Sequence, residues 1–163
     1  MGFFHQPVLL EEVLSYLSCQ PEGVYIDCTL GGAGHAEAIL DQTSPAGSLL
    51  GIDQDETALL AAAKRLKPYG DRVQLVQGNF RWVDELWRAS GLVAPKGILF
   101  DLGVSSPQLD EIERGFSYRE DAPLDMRMDR RQQETAADLV NTLPEAKLAR
   151  IISKYGEERW AAR

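Results

Sequence analysis

Cysteine and histidine are scarce in this sequence, with two of each among 163 residues. Two cysteines nine positions apart, Cys19 and Cys28, make neither a disulfide framework nor a zinc cluster, and we expect no metal site. No apolar run approaches the roughly 20 residues that a membrane-spanning helix needs. The N-terminus also lacks the basic start and the small-residue cleavage site of a signal peptide. We therefore expect a cytoplasmic protein without a membrane segment.

An excess of positive charge is missing too. The 17 basic and 25 acidic side chains give a net charge of −8, which disfavours a nucleic-acid partner. The charge is uneven, because residues 1–113 carry a net charge of −9 and residues 114–163 carry +1. Five arginines lie within eighteen residues of the second stretch, and on charge alone a solvated mixed-charge surface explains them. They are Arg114, Arg119, Arg127, Arg130 and Arg131.

The remaining composition, 44% hydrophobic and 26% charged, is that of a globular domain, and strand-like and helical stretches alternate along its first part. Short runs of β-forming residues predict buried strands at 24–28, 48–52, 73–77 and 97–102. Amphipathic stretches predict helices at about 7–18, 36–40, 56–66 and 81–89. Such alternation implies right-handed crossovers and a parallel sheet. We predict an α/β fold of the Rossmann type with strand order 3-2-1-4.

This alternation ends after Leu102. Residues 103–133 are rich in Ser, Pro, Asp and Arg and predict a long structured loop, which in a compact domain is usually functional. Helices are predicted at 136–141 and 145–155, and a third from about Glu157 to Arg163, where no capping residue follows. We expect a truncated chain whose apolar edge strand is covered by missing sequence or by a partner, such as a second copy.

The carboxyl ends of the predicted strands gather glycines, carboxylates and an aromatic ring into one crevice, where parallel α/β sheets bind ligands. The turn Gly31–Gly34 allows close backbone approach, and Asp53 can hydrogen-bond both ribose hydroxyls of a nucleoside. Phe80 can face an adenine ring, and Asp101 is an acceptor at the centre. Taken one at a time, three of these features have an ordinary structural explanation. The glycines can form a tight turn, Asp53 can cap a helix, and Phe80 can be a core residue. Together they predict a nucleoside site.

Two missing patterns narrow the choice of nucleoside. The segment Gly31–His35 does not fit the dinucleotide fingerprint Gly-x-Gly-x-x-Gly, and the lysine and hydroxyl of a phosphate-binding loop are absent. S-adenosylmethionine has a ribose and an adenine but no phosphate. It is therefore favoured over NAD, and an NAD-type oxidoreductase stays as the alternative enzyme class.

Five segments carry a resemblance to a known family. They are HQPVLLEEV (5–13), YIDCTLGGAGH (25–35), GIDQD (51–55), DLGVSSPQLDEIERGFSYREDAPLDMRMD (101–129) and YGEERWAAR (155–163). Together they resemble the bacterial ribosomal RNA small subunit methyltransferase H family, also called MraW. The resemblance implies a Rossmann-like, S-adenosylmethionine-dependent methyltransferase core at 1–108. It also implies a linker loop and the first helices of a helical insert at 109–163, with the rest of the family's length missing.

The resemblance also implies an activity, methylation of N4 of a cytidine in 16S ribosomal RNA at the decoding centre of the small subunit. A truncated fragment that binds cofactor without turnover is the other alternative. Gln108 enters from the resemblance alone. The implied cofactor contacts are Ala33, Gly34, His35, Asp53, Phe80, Asp101 and Gln108.

Methyl transfer is an in-line displacement, so alignment of the nucleophile with the methyl group matters most. The exocyclic amine of cytosine is a poor nucleophile because its lone pair is delocalised into the ring. We predict that Asp101, with Ser105 or Ser106, accepts hydrogen bonds from this amine and aligns it. His35 is predicted to orient the cofactor loop, and His5 to be an N-terminal hydrogen-bonding residue.

The arginine-rich stretch Arg114–Arg131 is the predicted contact with the RNA backbone, because arginine pairs well with phosphate. Internal ion pairing is the alternative for the same side chains. Three aspartates are interleaved with the arginines and could supply the partners: Asp121, Asp125 and Asp129.

Overall fold

The computed structural model describes residues 7–162, which form two compact units that divide between Ser105 and Ser106. His5 lies outside the described residues. Within residues 7–162, no helix is both long enough and apolar enough to cross a bilayer.

The first unit is built on a parallel sheet of four strands. These are β1 (Val24–Asp27), β2 (Ser48–Asp53), β3 (Val73–Gln77) and β4 (Gly97–Leu99). Their order is β3-β2-β1-β4, and all three neighbouring pairs run parallel. This confirms the predicted α/β fold and strand order. The helices of the unit are α1 (Leu10–Leu17), α2 (Gly34–Gln42), α3 (Glu56–Arg65) and α4 (Val83–Ser90), with 3-10 turns at Lys67–Arg72 and Phe80–Trp82.

Alternating residues of the central strands enter two apolar clusters, as a sheet covered on both faces requires. Tyr25 and Leu49 belong to the cluster that α1, α2 and α3 complete. Ile26 and Leu50 belong to the other cluster, which packs against α4. All four residues of β1 are buried, because this strand lies between β2 and β4.

Two element boundaries differ from the prediction in ways that shape the crevice. Helix α1 begins at Leu10, because Leu9 has a left-handed backbone (φ 52°) and separates Pro7 from the helix. Strand β4 ends at Leu99, so Phe100 and Asp101 lie beyond the sheet instead of within the strand. Helix α1 therefore begins later, and strand β4 ends earlier, than the sequence pattern predicts.

The second unit contains α5 (Ser106–Asp110), a 3-10 turn at Ile112–Arg114, α6 (Ala136–Thr142) and α7 (Glu145–Gly156). The predicted loop at 103–133 thus holds a short helix and a turn. The predicted third helix from Glu157 is wrong: Glu157 has a left-handed backbone (φ 53°) that ends α7, and residues 159–162 form turns. There the Glu158 carboxylate accepts a hydrogen bond from the Trp160 N–H at 2.7 Å.

Candidate functional site

The turn after β1 begins the site and combines left-handed backbone with close packing. Gly31 (φ 49°) and Ala33 (φ 60°) both have left-handed conformations, and Ala33 directly precedes α2. A Cβ on Gly34 would strike the ring of Pro7, whereas a Cβ on Gly32 would have no neighbour within 4 Å. The turn is therefore packed against the N-terminal segment at Gly34 and open at Gly32, where a ligand can approach the backbone.

Asp53 connects this turn to the end of β2. Its Oδ2 accepts a hydrogen bond from the Gly31 N–H at 2.8 Å, and its Oδ1 accepts one from the Asp55 N–H at 2.9 Å. Burial raises the pKa of this carboxyl above its ordinary value. The cap of α3 is Asp55, which accepts from the Thr57 N–H at 3.0 Å. The alternative explanation of Asp53 as a helix cap therefore does not apply. The remaining lone pairs of its carboxylate can accept hydrogen bonds from a ligand.

Asp27, at the end of β1, is the buried carboxyl of the site. Its side chain is only 1% exposed, and its Oδ1 accepts a hydrogen bond from the Thr29 N–H at 3.1 Å. Burial raises the pKa of Asp27 to about 7, and the charges of Asp53 and Asp101 act in the same direction. Three carboxyls thus interact at the ends of β1, β2 and β4, an arrangement that favours a positively charged ligand.

His35 and Asp101 face each other across the turn. The Asp101 N–H donates to Thr29 Oγ1 at 2.7 Å. About half of the Asp101 side chain is exposed (49%). The Nε2 atom of the buried His35 ring lies 2.9 Å from the carbonyl oxygen of Val8. Its Nδ1 lies 3.9 Å from Asp101 Oδ2. The sequence pattern did not identify Val8 and Thr29 as supports of this pair, because their partners are distant in sequence.

Phe80 opens the 3-10 turn after β3 and has two kinds of neighbour. It packs against the buried cluster that contains Ile26 and Cys28, and its ring meets that of Phe100 edge to face, with centroids 5.6 Å apart. Phe80 is therefore partly a core residue and partly available to a flat ligand. Phe100 is an addition from the structure, since the predicted strand 97–102 gave no sign that this ring leaves the sheet.

The structure assigns the predicted site residues to both units. The turn Gly31–His35, Asp53, Phe80 and Asp101 come together in the first unit, which ends at Ser105. Ser106 begins α5 of the second unit, and Gln108 on the same helix is buried (5% exposed). Within residues 7–162, no group of three or more His, Cys, Asp or Glu side chains is arranged to hold a metal ion.

The five arginines occupy three kinds of environment. Arg114 is buried (3% exposed) and donates to the carbonyl oxygen of Arg127 at 3.1 Å. Arg127 pairs with Asp125 through two hydrogen bonds of 2.8 and 2.7 Å, and this pairing lowers the pKa of Asp125 to about 2. A similar pair joins Arg131 to Asp129, with the arginine side chain 62% exposed. The other two arginines, Arg119 and Arg130, are exposed.

The residues of the first unit fit a nucleoside with a positively charged tail. A carboxylate at the end of β2 suits ribose hydroxyls, and an aromatic ring after β3 suits a base. The open backbone at Gly32 and the three interacting carboxyls suit a small cationic group nearby. S-adenosylmethionine has all of these parts and no phosphate.

Comparison with known proteins agrees with this chemistry. The chain matches the MraW methylase family over residues 2–163. It is 58% identical to the ribosomal RNA small subunit methyltransferase H of Symbiobacterium thermophilum, a match that covers 100% of this chain and 51% of the relative. The relative of the same name from Geotalea daltonii is 55% identical, with 99% of this chain and 52% of the relative covered. The chain therefore spans about half the length of these relatives.

Solved structures share the fold at low sequence identity. The crystal structure of NSun6 from Pyrococcus horikoshii with SFG superposes with a TM-score of 0.51 at 19% identity, over 96% of this chain and 33% of that one. A provisional rRNA methylase from Clostridium thermocellum also has a TM-score of 0.51, at 18% identity, over 64% of this chain and 55% of that one. Family and fold confirm the predicted cofactor class, because both are those of S-adenosylmethionine-dependent methyltransferases. This chain belongs to the MraW methylase family.

Proposed function

We propose that this chain supplies the cofactor-binding part of an enzyme that methylates N4 of a cytidine in 16S ribosomal RNA. The observation that carries the proposal is the Gly31 to Asp53 hydrogen bond of 2.8 Å, which joins the glycine turn and the β2 carboxylate into one site. Family membership and the names of the relatives support an RNA substrate. Such a substrate would place the reaction in the cytoplasm, on the RNA or on the small ribosomal subunit.

The cofactor would be held by the proposed contact residues as follows. Asp53 would accept from the ribose hydroxyls, Phe80 would contact the adenine, and the backbone of Gly31–His35 would approach the amino acid end. Asp101 and Gln108 are further proposed contacts. When bound, S-adenosylmethionine supplies a methyl group on a positively charged sulfur.

The target amine would be aligned by Asp101. The carboxylate is half exposed, and its backbone is held by the Thr29 hydroxyl, so an exocyclic amine can donate to an acceptor of fixed position. Ser105 or Ser106 would add a second acceptor. Alignment with the methyl group is the main requirement of an in-line displacement. A cytosine would have to be unstacked to reach this crevice.

The RNA backbone would contact the exposed arginines of the second unit. Arg119, Arg130 and Arg131 have exposed side chains that can reach phosphates. Arg127 has an aspartate partner, and Arg114 donates to main-chain carbonyls inside the unit. We therefore propose the first three as phosphate contacts and Arg114 as a support of the loop that carries them.

Calorimetry with this chain tests the cofactor. We expect binding of S-adenosylmethionine and none of NAD, and at least a tenfold loss of affinity in Asp53→Ala, since two ribose hydrogen bonds are removed. Lys96→Ala, outside the described site, is the control and should bind normally. Binding of NAD alone would instead favour the oxidoreductase alternative.

Methylation of small ribosomal subunits by the Symbiobacterium thermophilum relative tests the reaction. Mass spectrometry of the RNA should locate one methyl group on N4 of a cytidine. The substitution matching Asp101→Asn should slow transfer roughly tenfold to a hundredfold, because an aligned acceptor is lost. A methyl group on a carbon or a ribose would contradict the proposed target, and a normal rate would contradict the role of Asp101. The same assay with this chain alone tests the alternative of a fragment that binds cofactor without turnover.

A further inference from the structure

The 3-10 turn after β3 presents an aromatic ring on its outer side. It spans Phe80–Trp82, and because a 3-10 helix has three residues per turn, its side chains point in three different directions. Phe80 packs against the apolar cluster that contains Ile26. Trp82 is 48% exposed, and within residues 7–162 neither apolar cluster includes it. Packing inside the first unit therefore does not explain the large ring at this position.

The other tryptophan of this segment does have an ordinary structural role. Trp87, on α4, packs against the cluster of Ile26, and its indole N–H donates to the carbonyl oxygen of Val93 at 3.1 Å. Tryptophan is enriched where proteins contact a partner, because its ring is flat and apolar and its N–H is polar. The contrast between the two rings indicates that Trp82 is a contact residue.

Arg81 places a positive charge beside this ring. Its guanidinium carbon lies 5.2 Å from the centre of the Trp82 ring, within the range of a cation–π interaction. Arg81 is exposed, and among the described residues no carboxylate pairs with it. By contrast, Arg88 on α4 pairs with Asp84 at 3.0 Å. Arg81 and Trp82, which we call the Arg81–Trp82 platform, thus combine a flat ring with a cation that has no ion-pair partner in the described chain.

The main chain of the platform is held by Asn79. The Asn79 side-chain oxygen accepts from the Arg81 N–H at 2.8 Å, and its carbonyl oxygen accepts from the Trp82 N–H at 2.9 Å. The amide of the same side chain donates to Gln54 Oε1 at 2.8 Å, which connects the turn to the end of β2. Groups that are already held in place lose less conformational entropy when a ligand binds.

The platform borders the crevice at the strand ends. Phe80 lies two residues before Trp82, and its ring meets that of Phe100 with centroids 5.6 Å apart. Phe100 directly precedes Asp101, the residue proposed to align the target amine. An RNA strand that delivers an unstacked base to Asp101 would therefore bring a further nucleotide close to the platform.

We propose that the Arg81–Trp82 platform binds an unpaired nucleotide of the RNA substrate, with its base stacked on Trp82 and its phosphate paired with Arg81. Aromatic rings are stacking partners of bases in single-stranded RNA, and arginine pairs well with phosphate. The inference rests on the proposed function, which supplies the RNA substrate. Every base has a flat face, so we expect the platform to select single strands without selecting a sequence.

Three short labelled strands, followed by fluorescence anisotropy, test the role of the ring. They are a single-stranded oligoadenylate, an abasic strand with the same number of phosphates, and the duplex of the oligoadenylate with oligouridylate. We expect Trp82→Ala to weaken binding of the oligoadenylate about fivefold to a hundredfold, because a base loses its stacking partner. Binding of the other two should not change. Trp82→Phe keeps a smaller ring and should retain part of the affinity.

The variant Arg81→Met tests the role of the cation. It keeps an apolar side chain beside the indole and removes the charge. We expect weaker binding of both the oligoadenylate and the abasic strand, with the slope of log affinity against log salt reduced by about 1. Lys67→Ala is the matched control, because it removes an exposed positive charge at the opposite end of β3. An equal effect of both variants would overturn the proposed role of Arg81.

The fluorescence of the indole gives a readout with the platform intact. The chain has three tryptophans, so Trp160→Phe leaves Trp82 and the internal Trp87. Stacking of a base on Trp82 should quench its emission when the oligoadenylate is added, whereas the abasic strand should not. Binding of the oligoadenylate without quenching, or no binding at all, would overturn the proposal.

Two results with Trp82→Ala would also overturn it. An equal loss of affinity for the oligoadenylate and the abasic strand would show that the ring stacks on no base. Unchanged RNA affinity together with loss of self-association in light scattering would assign the ring to contact with a second copy. Calorimetry with S-adenosylmethionine shows that the variant is folded if its affinity is unchanged. Failure of the proposed function is distinguishable, because a methyl group found away from cytidine N4 changes none of these affinities.

Discussion

Asp27 shows how a single residue couples the fold to the charge of its ligand. It lies at the end of the central strand β1, where burial raises the pKa of its carboxyl to about 7 from an ordinary 3.8. The Thr29 N–H opposes part of this rise by donating to the carboxylate. A cation bound nearby would favour the ionised form. The residue therefore costs stability when ionised in the folded chain without ligand, and it can recover part of this cost on binding.

The substitution Asp27→Asn should change how stability depends on pH. A carboxyl whose pKa is raised by folding binds its proton more tightly in the folded state, so stability falls as pH rises from about 4 to about 7 and is level above that range. Asparagine has no such titration and can still accept from Thr29. Relative to the original chain, the free energy of unfolding of the variant should therefore rise by as much as about 4 kcal/mol across this pH range.

Urea unfolding at pH values between about 4 and 8 measures this difference in the free energy of unfolding. The Asp125–Arg127 pair titrates at lower pH, since the pKa of Asp125 is about 2, and does not interfere. Asp53 also has a raised pKa and is present in both chains, so its own burial contributes to both stability curves. Parallel stability curves for the two chains would contradict the prediction.

At the scale of elements, the loop before α6 is held by its own main chain. Arg114 accepts at its carbonyl from the Met126 N–H at 2.9 Å, while its guanidinium donates to the carbonyl of Arg127. Gly115 follows with a left-handed backbone (φ 70°), and a Cβ there would strike the carbonyl oxygen of Pro123. The exposed arginines thus extend from a loop whose conformation depends on one glycine and one buried guanidinium.

Gly115→Ala should therefore destabilise the second unit by about 2 kcal/mol or more, because the new methyl group meets rigid main chain at an unfavourable φ. Hydrogen exchange of the Met126 amide measures this locally, and its protection should fall. Gly156→Ala is the matched control, since no atom lies within 4 Å of its added Cβ. Unchanged protection in Gly115→Ala would mean that the loop adapts at no cost.

At the scale of the whole molecule, the β4 edge is the feature that invites association. In the part of the chain that the structure describes, β4 pairs with β1 alone. Ile98 (42% exposed), Phe100 (45%) and Leu102 (71%) lie on or just after this strand. An apolar edge strand is a template for pairing with another chain. We expect a second copy of this chain to cover it when the chain is studied alone.

Light scattering over a range of concentrations should then show a dimer that dissociates on dilution. Ile98→Lys should give a monomer, because a lysine on the edge strand must lose water to be covered. Val93→Lys places the same charge on a highly exposed residue before β4 (72% exposed) and should leave the dimer intact. A chain that is monomeric at every concentration would exclude pairing through this edge.

The sequence pattern was sufficient for the elements that repeat. Strands rich in Val, Ile and Leu, separated by amphipathic helices, allow few arrangements, and the predicted order β3-β2-β1-β4 is the one observed. It was weaker where elements end. The helix predicted from Glu157 is wrong because its first residue takes a left-handed backbone, and β4 ends three residues early because Phe100 packs against Phe80 instead of continuing the strand.

By itself the sequence determined the sheet and the family. It also predicts a nucleoside site, because strand ends in a parallel sheet must meet at one edge. Only the tertiary structure decided what each side chain does there. Asp53 accepts a hydrogen bond from the Gly31 N–H, the Val8 carbonyl contacts the His35 ring, and Arg114 donates to a carbonyl of its own loop. These roles depend on contacts between residues that are distant in sequence, and on burial, which one-dimensional spacing does not encode.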